Sequence, residues 1–197
     1  MLAERLRRAI ELPIESKMLI CAGDDILFGS DDSLVPAAVL IAVTDRPDPG
    51  VLLTVRNANM RNHAGQIAFP GGRIDPSDGG AMAAALREAD EEIGLDPSQV
   101  QLIGTTDLYR TGTGFIITPV IGIVPPDMAL DPHVAEVDAI FETPLEYLLD
   151  LGNHLEREQE YNGQMRRFRE ILWRDYRIWG ATAGIIHNLA NRIDRQG

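Results

Sequence analysis

The apolar positions of this chain change their period from segment to segment, and the changes mark out its elements. The segments Leu34–Val43 and Val51–Val55 are dense in Val, Ile and Leu, the composition of buried strands. The turn-forming stretch Asp45–Gly50, with two prolines, lies between them, so the pair predicts a β-hairpin. Further strands are predicted at Val100–Tyr109, Phe115–Val124, Glu136–Glu142 and Arg166–Trp173, with breaks at Gly112–Gly114 and Pro125-Pro126. Three segments have helical character. Met1–Leu12 mixes Glu4, Arg5, Arg7 and Arg8 among Leu and Ala. Ala81–Ile93 is rich in alanine and glutamate and stops at Gly94. In Ala181–Ile193 the apolar residues Ile186, Leu189, Ala190 and Ile193 recur at helical spacing. The charged, aperiodic stretch Leu151–Gln164 is predicted to be a long surface loop. Strands mixed with three or four helices give an α+β fold or an α/β/α sandwich.

Composition narrows the function more than the fold. With 197 residues, 45% hydrophobic and 24% charged, the chain suits one globular domain, 1–197, with a core over about 34–193. The longest apolar runs are about half of the roughly 20 residues that cross a bilayer, and Pro36 breaks the first of them. A net charge of −12 argues against sequence-independent nucleic-acid binding and against docking on anionic lipid, which both need clustered Lys and Arg. Cys21 is the one cysteine, so no intramolecular disulfide forms and a reducing cytoplasm is the simpler address. A homodimer is left open. An anionic small substrate would need local help from a metal ion or from arginine.

The chemistry concentrates between Arg56 and Leu95. At about 100° per residue, Met82, Leu86, Ala89 and Ile93 are expected to form the apolar face of the Ala81–Ile93 helix, with Glu88, Glu91 and Glu92 clustered opposite. A solvated acidic face is the ordinary explanation of such a cluster. Here Arg87 is the nearby counter-charge, so the mutual repulsion suits a hard divalent cation, Mg²⁺ or Mn²⁺, with oxygen ligands. Before the helix, Phe69–Gly80 is a Gly/Pro-rich loop in which Gly71 and Gly72 let backbone N–H groups approach an anion with no Cβ in the way. Upstream, Arg56 and Arg61 suit phosphate oxygens through forked contacts, although a surface salt bridge is an equal reading for each alone. His63 is a further polar candidate, more often structural than functional in such a place.

Gly72, five residues, Asp78, and then Arg87-Glu88-Ala89-Asp90-Glu91-Glu92-Ile93-Gly94-Leu95 resembles the signature of the Nudix hydrolases. That consensus runs Gly, five residues, Glu, seven residues, then Arg-Glu-aliphatic-x-Glu-Glu-x-Gly-aliphatic. The tail agrees position for position. At the head, Asp78 replaces the usual Glu and eight residues, one more than usual, separate it from Arg87. The block Leu52–Gly72, with Leu52-Leu53-Thr54, Arg56, Arg61, Gly65-Gln66 and Phe69-Pro70-Gly71-Gly72, is similar to the segment preceding this box in coenzyme A pyrophosphatases. Asn57 stands where a small residue is common there. The likeness covers most of the chain after about Leu34.

The resemblance implies an α/β/α sandwich with a mixed sheet and the box as a loop–helix–loop. It implies Glu88, Glu91 and Glu92 as metal ligands, Glu91 positioning the attacking water, Arg87 orienting Glu91, and Glu136 as a candidate base. Arg56, Arg61, Gly71 and Gly72 would contact substrate. The implied reaction is metal-dependent hydrolysis of coenzyme A to 4′-phosphopantetheine and 3′,5′-ADP. The rival readings are a Nudix enzyme for another nucleoside diphosphate derivative and a catalytically silent ligand sensor of the same fold.

Overall fold

In the computed structural model, residues 2–11, 34–60, 63–161 and 164–194 are described. Arg61 and Cys21, singled out above, lie outside them. In chain order the elements are α1 (Leu2–Glu11), β1 (Val35–Thr44), β2 (Gly50–Arg56), β3 (Ile67–Ala68), β4 (Gly71–Arg73), α2 (Ala81–Ile93), β5 (Gln101–Thr105), β6 (Tyr109–Arg110), β7 (Phe115–Val124), β8 (Val137–Pro144), α3 (Leu145–Leu149), β9 (His154–Tyr161), β10 (Gln164–Trp173), β11 (Tyr176–Trp179) and α4 (Ala181–Asp194). Among the described residues no helix is long and apolar enough to cross a membrane.

The main sheet is mixed. β1 and β7 run parallel in unbroken register from Val35 opposite Phe115 to Thr44 opposite Val124, and the other pairings are antiparallel. Both faces are covered, which is why β1 reads as a continuous apolar run. Ala38, Leu40, Ala42 and Leu52 pack on one side beneath α2. Ile41, Val43, Val51 and Leu53 pack on the other beneath α1, α3, α4 and the small sheet β11-β10-β9. This is the expected α/β/α arrangement. The predicted hairpin forms, but β1 and β2 pair only at Val43 and Val51. Below that point they part, and β4 takes the place beside β1, with Val39, Ala38 and Ala37 opposite Gly71, Gly72 and Arg73. β2 turns to β8 and β3 instead.

Two sequence expectations are corrected. Residues 154–161 are not a surface loop but β9, paired with β10 through Glu156 opposite Arg169 and Glu158 opposite Arg167. Salt bridges of 3.1 Å and 2.7 Å join those pairs, so the order comes from cross-strand charge rather than apolar alternation. The predicted strand Val100–Tyr109 is also broken, into β5 and β6, at Thr106–Leu108. There Asp107 turns inward and receives both Nε and Nη2 of Arg192 in α4. Arg192 also donates to the carbonyl of Ala9 at 3.0 Å, so one guanidinium fastens α1, α4 and the β5–β6 connection.

Asp107 and Arg192 are 1% and 5% exposed. Removing one member of so dry a pair strands the other charge, at a cost of about 3–5 kcal/mol. Asp107→Ala should therefore lower the free energy of unfolding by about that much in urea titration, and a change below about 1 kcal/mol would contradict the account. A second prediction concerns acid. His154 and His187 meet Nδ1 to Nδ1 at 2.9 Å, and His154 Nε2 lies 2.7 Å from the Leu148 carbonyl. Burial pushes both imidazoles down, His187 to about 4. The folded state thus prefers them neutral, against about 6.5 in the unfolded chain. Their contribution is complete above pH about 6.5 and is lost as pH falls toward about 4. Unfolding midpoints across that window should decline less steeply for His187→Gln than for the native chain, and parallel declines would refute the assignment.

Candidate active site

Alanine decides how α2 sits. Ala84, Ala85 and Ala89 are fully buried against the sheet, and their short side chains let the helix axis come close. The buried stripe follows Ala81, Ala84, Ala85, Glu88, Ala89, Glu92 and Ile93, a run of three- and four-residue steps. Met82, expected in the core, is 40% exposed, and Glu92, expected on the opposite face, is 4% exposed. The largest apolar residues of the segment point to one face, whereas the helix packs through its smallest. At its end Gly94 adopts a left-handed conformation, φ 65°, and returns its N–H to the helix carbonyls. The following loop closes over the same end, with the His133 N–H donating to the Glu92 carbonyl at 2.9 Å.

Two glycines on β4 receive one buried carboxylate, Glu92, and one partly buried, Glu88. The Gly71 N–H donates to Glu92 Oε2 at 3.1 Å. It therefore serves the protein's own carboxylate and not a substrate anion, a correction to the expectation from the Gly-Gly pair. A Cβ on Gly71 would meet the Ala38 carbonyl oxygen at 2.4 Å, so no larger residue fits between β4 and β1. A Cβ on Gly72 would lie 2.5 Å from the Glu88 carboxyl carbon. The space that the missing side chain leaves is the space Glu88 occupies.

Arg87 organises the outer side of the helix. Its Nε and Nη2 hold the two oxygens of Asp78 at 2.9 Å and 3.0 Å, and Nη1 reaches Glu88 and Glu91 at 2.9 Å each. Nη2 also donates to the Arg73 carbonyl at 3.1 Å. The Asp78 side chain, itself only 6% exposed, also accepts from the Asp75 N–H at 2.8 Å. Hydrogen bonding to Arg87 holds the Asp78 carboxyl below its usual range, and the same bond raises Arg87 above its own. Asp78, the departure at the head of the box, is thus a clamp that ties the loop with its extra residue to the helix. Glu91 is 58% exposed and turned to Arg87, apart from the Gly71–Gly72 side.

The electrostatics of the inner side are unbalanced. Burial raises the Glu92 carboxyl to about 7, against the Gly71 hydrogen bond and Arg56, with Glu88 and Glu136 adding repulsion. Burial also raises Glu88, despite Arg87, with Glu91 and Glu136 again adding. Glu136, just before β8, therefore belongs to the same neighbourhood. The positive charge facing them is Arg56, at the end of β2 where a bulge shifts the register against β8. Its Nη1 lies 3.8 Å from Glu92 Oε1, and Nη2 donates to the Met60 sulfur at 3.3 Å. Its Nε is buried and has no hydrogen-bond partner among the described residues. His63 takes a positive φ of 58° and bonds Gln66 Oε1 through Nδ1 at 2.9 Å, a turn-forming role.

Among the described residues no three acidic or imidazole side chains converge tightly enough to enclose an ion. The donors still fit a hard divalent cation. Glu92, buried, and Glu88, partly buried, present carboxylate oxygens one helical turn apart; burial raises both carboxyls, Glu92 to about 7, and an adjacent cation would favour both as anions. The Gly72 cradle gives a prediction for the apo protein and for turnover. Gly72→Ala collides with the movable end of Glu88 rather than with backbone, so thermal stability should change little while turnover drops at least about tenfold. Unchanged turnover would show that the position of Glu88 is immaterial.

The NUDIX domain model matches residues 34–168 of the chain. A relative in Escherichia coli K12, named uncharacterized Nudix hydrolase NudL, is 46% identical over 157 residues, which span 80% of this chain and 82% of that protein. Its namesake in Shigella boydii serotype 4 is also 46% identical over 157 residues. Among solved structures, the Nudix hydrolase RenU of M. smegmatis superposes with a TM-score of 0.50 at 24% identity, over 59% of this chain and 74% of that one. The MutT protein of Methanosarcina mazei Go1 gives 0.52 at 17% identity, over 83% and 94%. At those identities the structures speak for the fold alone.

Proposed function

The chain belongs to the Nudix family, and from that membership we propose that it hydrolyses the diphosphate of coenzyme A to 4′-phosphopantetheine and 3′,5′-ADP, using Mg²⁺ or Mn²⁺. Nudix hydrolases cut phosphorus-containing anhydrides of small nucleotide derivatives, generally with a divalent metal. One observation carries the phosphate reading for this chain. Arg56 is a partly buried guanidinium whose buried Nε has no acceptor among the described residues and whose other contacts there are a thioether and a distant carboxylate. A buried cationic donor without a partner costs roughly 1–3 kcal/mol or more, and an anionic oxygen supplies what it lacks. The coenzyme A assignment rests on the Leu52–Gly72 block, in which Arg56 lies.

Glu88 and Glu92 would hold the metal, with Glu91 as a further ligand or as the group that positions water. When bound, the metal neutralises charge on the diphosphate and lowers the pKa of coordinated water. The chain's own residues do the rest. Arg56 anchors phosphate oxygens on the side of Glu92, while Gly71 fixes the orientation of Glu92 through its N–H. Arg87 keeps Glu88 and Glu91 in place and is tied to the loop through Asp78. Glu136 faces the same neighbourhood and can take the proton from the attacking water. Water adds to one phosphorus, the bridging P–O bond breaks, and the other phosphate departs with the electron pair.

Glu92→Gln keeps the shape and removes the charge of a ligand, so turnover should fall about 10²-fold or more with the fold retained. Arg87→Ala, acting through carboxylates, should cost less, and an equal loss in a folded protein would give Arg87 a direct role. The substrate is tested by mass-spectrometric identification of products from coenzyme A, dephospho-coenzyme A, ADP-ribose and a dinucleotide polyphosphate. A tenfold preference in kcat/KM for either of the last two defeats the coenzyme A assignment and leaves the Nudix hydrolase intact.

A further inference from the structure

A cavity of about 480 Å³ opens on the other side of the strand that carries Arg56, between the turn before β3 and the β10–β11 hairpin. Its size falls in the lower half of the roughly 300–1,000 Å³ of ordinary small-molecule sites. Val55 and Ile67 give it apolar walls, Tyr176 and Trp179 aromatic ones, and Asp175 and Arg177 contribute its charges. No residue of this cavity enters the hydrolytic machinery described above.

The walls are held from behind. Tyr176 stacks on Phe141 of β8 with ring centroids 3.8 Å apart, and Thr182 of α4 bonds the Ile67 carbonyl at 3.0 Å. Arg177 is fixed in the same manner. Its Nε donates to Glu170, which is 4% exposed and is also held by Arg157 at 2.8 Å. Its guanidinium lies 5.1 Å from the centroid of Trp179. A guanidinium bonded at Nε and supported on an indole keeps its Nη groups for an acceptor, and such an arrangement is preorganised for phosphate. Asp175, on the same rim, is an acceptor for an amino group or a hydroxyl.

The cavity is joined to the catalytic side through one residue. The Arg56 N–H donates to the Gln66 carbonyl and the Gly65 N–H to the Arg56 carbonyl, each at 2.9 Å. Gly65 and Gln66 line the cavity, while the Arg56 side chain faces Glu92. A molecule whose diphosphate reaches Arg56 has this cavity at the next position along the chain.

We propose that the cavity binds the nucleoside end of the substrate, with the base against Tyr176 and Trp179 and a phosphate outside the diphosphate on Arg177. This rests on the Nudix hydrolase reading and adds to it a site for a 3′-phosphorylated nucleoside. Arg177, rather than either arginine of the pre-box block, then distinguishes coenzyme A from its dephospho form.

The probes are 3′,5′-ADP and 5′-AMP, titrated into a Trp173→Phe protein in which Trp179 is the remaining tryptophan. Both nucleotides should change Trp179 fluorescence, with 3′,5′-ADP binding at least about tenfold more tightly, the scale of one charge-assisted contact. Arg177→Gln, at a side chain half exposed to solvent, should bring the two affinities within about threefold of each other. The inference is overturned if the tenfold preference survives Arg177→Gln, or if neither nucleotide perturbs Trp179. Coenzyme A hydrolysis measured on the same protein keeps the two readings apart. Turnover of coenzyme A with no Trp179 response defeats the cavity alone, and a Trp179 response with the predicted Arg177 dependence but no turnover of coenzyme A defeats the substrate assignment alone.

Discussion

The distance between α2 and β4 is the constraint from which the catalytic side follows. Alanines at 84, 85 and 89 face the sheet, and β4 presents Gly71, with no room for a Cβ against β1, and Gly72, whose missing side chain leaves the space of Glu88. Only with both surfaces stripped of bulk can Glu92 reach a backbone N–H of the neighbouring strand and Glu88 fill the space above the next residue. The two carboxylates therefore sit inside a packed layer that would normally be apolar. Their burial is a consequence of the same small residues that bring the helix close, and a bulkier interface would have left both in solvent.

Such a helix works against its own stability. Three glutamates occupy its last two turns, with no basic residue in the last, so they face the negative end of the helix dipole. Glu88 and Glu92 are raised mainly by burial, and Arg87 relieves the outer side alone. Local rules broken together at one place, with packing elsewhere well satisfied, are the mark of a site kept for chemistry. The Nε of Arg56, without a partner among the described residues, is the complementary fault of opposite sign. A phosphate and a divalent cation, taken together, would answer both.

The sequence made the central strands, the hairpin and α2 legible because their signals are local: β-branched runs, a proline-rich turn, an alanine-rich segment ended by Gly94. It also made the Arg87–Leu95 box legible, since that signal is spacing. What it hid was non-local. The burial of Glu92 depended on which alanines face the sheet, and large apolar residues such as Met82 drew the helix face the wrong way. β9 was hidden because its order lies in Glu156 and Glu158 meeting Arg169 and Arg167 on the paired strand. A search for opposite charges mirrored about residues 162–163 would have found it. Asp107 reads as a polar interruption of a strand until Arg192, 85 positions later, is known to meet it.

The Arg56–Glu92 contact and the cavity at Val55 lie on opposite faces of one sheet, and the parting of β1 and β2 is what places them at one strand end. Because β4 takes the place beside β1, β2 is free to pair with β8 and with the two residues of β3. That leaves Arg56 at a strand end, beside a bulge, where regular alternation lapses. In an uninterrupted sheet Val55 and Arg56 would be separated by the full thickness of the layer. Here too their side chains diverge, Val55 to the cavity and Arg56 to Glu92, with β3 and β8 paired on either side of β2. The end of β2 is thus where the two environments lie one residue apart, and a substrate bound as proposed would have to pass around it.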